Sequence, residues 1–142
     1  MSTHHSSEVG GLILRVALGL VFIAHSLYLK LVVYTLPGTA EFFASIGLPG
    51  VLAYVVFAAE ALGGIALIAG VYTRLVAAAL IPIALGATWA HLGAGWLFTN
   101  EGGGWEYPAL LVVALLVQFF VGGGALAWRR SPRLGSMTWK RA

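Results

Sequence analysis

The sequence contains no cysteine and no aspartate. Without cysteine there is no thiol redox centre, no thiolate-held metal and no disulfide. The acidic inventory reduces to Glu8, Glu41, Glu60, Glu101 and Glu106. Charge of either sign is scarce: Asp, Glu, Lys and Arg make up 9 % of 142 residues, against ~25 % in a soluble domain. So few charges cannot solvate a water-exposed surface of this size. A soluble enzyme, a disordered chain and a basic nucleic-acid module are all excluded. What is abundant is apolar surface, with 60 % hydrophobic residues and a mean hydropathy of +0.93. The composition is that of a polytopic membrane protein whose main partner is the lipid bilayer.

Four apolar runs follow a short polar segment at 1–8, which is expected to be a flexible tail. It is not a secretory signal, because it lacks a basic start and Arg15 interrupts the apolar stretch behind it. The runs cover about 9–34, 50–69, 75–93 and 107–128. None alternates as a membrane strand does, and a backbone in lipid must satisfy its own hydrogen bonds. The expected fold is therefore all-α: a four-helix transmembrane bundle over 9–128, followed by a basic tail at 129–142. Pro37-Gly38 and Pro49-Gly50 bracket the first loop, with a short interfacial helix expected at Thr39–Ile46. Pro82 should kink the third run without ending it. Gly102-Gly103-Gly104 follows no strand and reads as a hinge, not a phosphate cradle. Gly63, Ala66 and Gly70, and separately Gly86 and Ala90, are spaced to let helices pack closely.

With four spans, Arg15, Arg74, Arg129, Arg130, Arg133, Lys140 and Arg141 fall on one side and only Lys30 on the other. By the positive-inside rule both termini are cytoplasmic, and Arg74 reads as a topology anchor. The aromatics agree, with Trp89, Trp96, Trp105 and Tyr107 near the outer boundary and Tyr72 and Trp128 near the inner one.

The chemically informative residues are polar ones at membrane depth. Counting ~1.5 Å per residue from the outer boundary, Glu60, His25 and Gln118 lie deep, while His91, Lys30 and Glu106 lie shallower. A carboxyl near the midplane costs ~2.5 kcal/mol or more, so Glu60 should face inward and be protonated or paired. His25, at matching depth, is its natural partner. Each has a structural reading beside the functional one: Gln118 as interhelical glue, Lys30 snorkelling to headgroups, Glu106 complementing a helix dipole. No His-x-x-x-His or comparable spacing supports a metal site.

Taken in order, certain segments resemble the DoxX family of small four-helix bacterial membrane proteins. They are Arg15–Phe22, then His25 with Lys30-Leu31, Phe42-Phe43 with Gly47-Leu48-Pro49, and Glu60–Gly64. Gly70–Arg74, His91 and Gly103–Tyr107 complete the series. Two positions depart from the family form, in which Gly follows the His and Lys comes four residues after it. Here Ser26 follows His25 and Lys30 is five residues on, so an α-helix would turn Lys30 about 100° further round.

The resemblance implies an inner-membrane protein linked to redox metabolism, with a quinone as the expected cofactor. An oxidoreductase partner protein and a homo-oligomer are the expected assemblies. On that reading Glu60, His25 and His91 handle protons, while Lys30, Trp89, Trp105, Glu106, Tyr107 and Gln118 hold the headgroup. A non-catalytic anchor or assembly subunit and a small proton-coupled transporter stand as alternatives.

Overall fold

In a computed structural model, residues 3–132 are described. Five α-helices follow in order: α1 (Thr3–Ile23), α2 (Leu36–Ser45), α3 (Val51–Ala69), α4 (Thr73–His91) and α5 (Glu106–Val121). α1 continues without a break as a π-helix over Ala24–Val33. Among the described residues there is no strand, only an isolated bridge between Val71 and Arg129. Helix α1 starts at Thr3, ahead of the apolar run, so the polar segment at 3–8 is helical. Arg133 and the rest of the basic tail lie outside the described residues.

Three stretches are long and apolar enough to cross a membrane: His4–Val33, Val51–Ala69 and Thr73–Ala94. Pro82 lies inside the third and does not end it. The fourth helix is shorter than the apolar run suggests. It stops at Val121, and 122–128 is not helical. Gly122 and Gly124 explain the stop, with φ of +86° and +67° that other residues avoid.

α1 packs on α3 and α5, and α4 packs on α3 and α5. Leu18, Phe22, Leu67, Leu80 and Leu115 fill the centre. At the α1–α3 crossing the two backbones nearly touch. A side chain at Gly19 would meet the Gly64 carbonyl at 2.7 Å, and one at Gly64 would meet the Gly19 carbonyl at 2.9 Å. Gly63 faces the Leu80 side chain on α4 as its spacing suggests, but Gly86 has nothing within 4 Å and seats no neighbour. The spacing picks out Gly63 but neither Gly19 nor Gly64, the pair that forms the close crossing.

Short elements close the ends. α3 terminates in a left-handed Gly70, φ +71°, with Gly70 N–H bonded to Leu67 O and Val71 N–H to Ala66 O. That is the Schellman pattern, and it reverses the chain directly into α4. α2 begins three residues earlier than expected because Thr35 caps it, its Oγ1 accepting from Gly38 N–H at 3.2 Å.

The ends differ in character. At one end Arg15 is 1 % exposed and donates to the carbonyls of Leu67 (3.0 Å), Ile68, Gly123 (2.7 Å) and Ala125 (2.9 Å). Arg74 donates to Phe119 and Phe120 at the end of α5. These carbonyls end α3 and α5 or lie in the irregular 122–128 segment, and helix ends leave such acceptors unpaired. Non-helical backbone shielded from water persists where its polar groups are satisfied internally, and the two arginines supply donors. At the opposite end the helices part around a cavity.

Candidate functional site

The cavity has a volume of about 330 Å³, and its walls include His25, Lys30, Glu60, His91, Phe98 and Tyr107. Glu60, on the tenth residue of α3, accepts a hydrogen bond from Lys30 Nζ at 2.7 Å. The side chains are 7 % and 16 % exposed, so this is a nearly buried ion pair. Glu60 therefore pairs with Lys30, not with His25 as matching depth suggested. Desolvating a lone charge is expensive, and a charge this well buried is held by its counter-ion.

The π-helix explains how Lys30 reaches Glu60. An i→i+5 bond places residues five apart where an α-helix places residues four apart. The extra residue between His25 and Lys30 is thus absorbed, and the expected 100° displacement disappears. Side chains support the altered winding. Ser26 Oγ, fully buried, donates to Phe22 O at 2.9 Å and Ile23 O at 3.2 Å. His25 Nδ1 lies 2.9 Å from Val21 O. Lys30 Nζ also approaches the His25 carbonyl at 3.5 Å. Ser26, which reads as a departure from the family form, here carries a hydroxyl that occupies carbonyls in the turn where the winding changes.

The two histidines share one feature. His91 Nδ1 sits 2.9 Å from Gly103 O and 3.0 Å from Gly102 O. A carbonyl only accepts, so the hydrogen in both rings is assigned to Nδ1, and the neutral ring keeps its lone pair on Nε2. Each histidine thereby presents a proton acceptor on its other nitrogen. His25 is half-buried and stacks on Tyr107, with centroids 6.1 Å apart and planes at 19°.

The loop from 92 to 105 covers this end and is tied down by its own bonds. Trp105 N–H donates to Gly95 O and Glu106 N–H to Trp96 O. Glu106 Oε1 accepts from Phe98 N–H at 3.0 Å. Glu106 thus holds Phe98 in place and does not line the cavity. Trp105 packs edge-on against Trp96, centroids 4.5 Å apart, beside the cavity and not in it.

Two other sequence candidates lie elsewhere. Trp89 is 52 % exposed on the outside of α4. Gln118 is fully buried towards the arginine end, donating to Gly122 O at 2.6 Å and Gly11 O at 3.4 Å. The structure brings together His25, Lys30, Glu60, His91 and Tyr107, and leaves Trp89, Trp105, Glu106 and Gln118 out. Phe98 was not picked out from the sequence, since a lone aromatic in a loop carries no spacing signal. Among the described residues no three His, Cys, Asp or Glu cluster as a metal site does.

An all-α, multi-pass membrane protein with a charge-paired cavity is what these features define. The family model for DoxX matches residues 10–93, and the chain belongs to that family. A curated relative, "Putative oxidoreductase CatD" of Bacillus subtilis (strain 168), is 40 % identical over 82 residues. That match covers 58 % of this chain and 59 % of the relative. The chain thus spans less than two thirds of that protein's length. No solved structure matches. The family match contains His25, Lys30, Glu60 and His91, while Phe98 and Tyr107 lie beyond it.

Proposed function

We propose that this protein is a quinone-linked subunit of a bacterial inner-membrane oxidoreductase system. In this reading four helices, α1, α3, α4 and α5, cross the membrane as one domain over 9–128. Both termini are cytoplasmic, and the cavity opens in the outer half. Arg15, Arg74, Arg129 and Arg130 at one end against Lys30 at the other support that orientation. The observation that carries the function is the Lys30–Glu60 ion pair and two histidines, each with Nδ1 against a backbone carbonyl, around one cavity. A purely structural ion pair needs no cavity beside it.

The residues fit a quinone ring. A cavity of ~150 Å³ already holds benzene, so 330 Å³ accommodates a substituted single or fused ring. A quinol brings two O–H groups and two electrons. Nε2 of His25 and His91 can accept hydrogen bonds or protons from ring hydroxyls, and the Lys30 ammonium can donate to a ring oxygen. Tyr107, already parallel to the His25 ring, offers an aromatic wall. The electrons pass to or from a partner oxidoreductase, in keeping with the relative's name.

The test is purification in mild detergent, with mass spectrometry of the extracted lipids. A quinone near one per protein in the wild type, lost in Glu60→Gln, is expected. Monodisperse wild-type protein without quinone, and without binding of added quinone, overturns the reading.

A further inference from the structure

Beside the cavity lies a second concavity, an open groove of about 520 Å³ along α5. Its floor comprises Glu106, Ala109, Leu110 and Val113. That spacing of i, i+3, i+4 and i+7 is one face of a helix, about 10 Å long. Its upper end is the Trp96–Trp105 pair. Leu110 and Val113 are exposed there, on a surface that meets the bilayer. Two residues, Phe98 and Tyr107, border both the groove and the cavity. On the cavity side His25, Lys30, Glu60 and His91 stand among apolar walls, and the groove side is almost wholly apolar.

We propose that the groove seats the isoprenoid tail of a prenylated ring compound whose head occupies the Lys30–Glu60 cavity, with Phe98 and Tyr107 as the portal between them. This inference rests on the quinone-ring reading and names the class of ring: a prenylated one, entering sideways from the bilayer. The cavity holds a ring but not a long tail besides, so the tail must leave it. The two shared residues mark where the spaces adjoin. Glu106 keeps that portal shaped by holding the Phe98 backbone. A bulk lipid chain or a partner helix on the groove has no use for this continuity.

The test uses two probes on the purified protein in nanodiscs: 2-methyl-1,4-naphthoquinone, and the same ring carrying a four-unit prenyl tail. Affinities are compared between wild type, Val113→Trp and Leu110→Trp. Both variants are on an exposed face and fill the groove without entering the cavity. Partition of the tail into lipid is common to all three proteins and cancels. The expected result is about a tenfold loss of affinity for the prenylated ring, the equivalent of ~1.4 kcal/mol, with the tail-less ring within twofold of wild type. Unchanged binding of the prenylated ring in both well-folded variants overturns the tail path and leaves the ring site standing. Equal loss of both probes also overturns it, since the groove then only shapes the cavity. Failure of both probes to bind wild type overturns the ring site and this inference together.

Discussion

At the scale of single residues, the Lys30–Glu60 pair decides most. Removing one partner of a nearly buried pair strands the other charge, which typically costs about 3 kcal/mol or more. Lys30→Met should therefore lower thermal stability in detergent clearly, whereas Lys30→Met with Glu60→Leu should recover most of it. Ring binding should be lost in both. Recovery of binding in the double variant would show that the pair matters for packing alone. Glu60 was legible in the sequence because a carboxylate in an apolar run is costly wherever it points. Its partner was not, because the choice between His25 and Lys30 turns on helix winding. Gln118 shows the converse: depth alone grouped it with the cluster, but its rotation and its place along α5 send it to the carbonyls of Gly11 and Gly122.

At the scale of elements, the π-helix is an insertion made harmless. Deleting Leu27, which is exposed, restores the four-residue spacing of the family. The segment can then wind as an ordinary α-helix with Lys30 still facing Glu60, so stability and ring binding should survive. Inserting one alanine after Leu27 adds a second extra residue that the winding cannot absorb; Lys30 is turned away by about 100°, and both properties should be lost. Thermal melts and ring titrations on the two variants check this. Hydropathy cannot register such a change, since Ala24–Val33 is apolar under either winding. The same blindness carried the fourth apolar run through Gly122-Gly123-Gly124 to Trp128, where the backbone in fact leaves the helix. Arg15 makes that departure possible, and sequence counting saw in it only a charge that orients the protein. Arg15→Leu leaves the Ile68, Gly123 and Ala125 carbonyls without their donor, and each unsatisfied buried group costs roughly 1–3 kcal/mol; the protein should fail to accumulate. Arg15→Lys should rescue only in part, because an ammonium lacks the planar fork of five donors. Detergent-solubilised yield and melting temperature distinguish the two.

At the scale of the whole molecule, the arginine end is fastened and the cavity end is open. The apolar runs gave the order of the helices but made the last one too long: three reach spanning length, where the runs suggest four. The cation placement gave an orientation that can be tested directly. Because the chain has no cysteine, single-cysteine labelling has no background. Thr99→Cys, in the exposed loop over the cavity, should react with a membrane-impermeant maleimide added outside spheroplasts. Ser7→Cys, at the exposed start of α1, should react only after lysis. The reverse pattern would place the cavity on the cytoplasmic side. Which helix touches which was not legible, because four uniformly apolar helices offer no stripe to orient them; only the close glycines at 19 and 64 record the crossing, and Gly86 looks the same in sequence.

Helix α5 has 16 residues and is therefore about 24 Å long, short of the ~30 Å hydrocarbon core. On the proposed four-span reading, surrounding lipid must compress to meet it, at a cost of fractions of a kcal/mol per Å. On that reading the dimple falls on the side of the molecule that carries the groove. Long-chain lipids are penalised there, and a ligand whose branched tail tolerates a thin, disordered collar of bilayer meets less competition. Bilayer thickness thus becomes a control on occupancy: thickening the membrane with longer acyl chains should favour any partner helix that relieves the mismatch by covering α5.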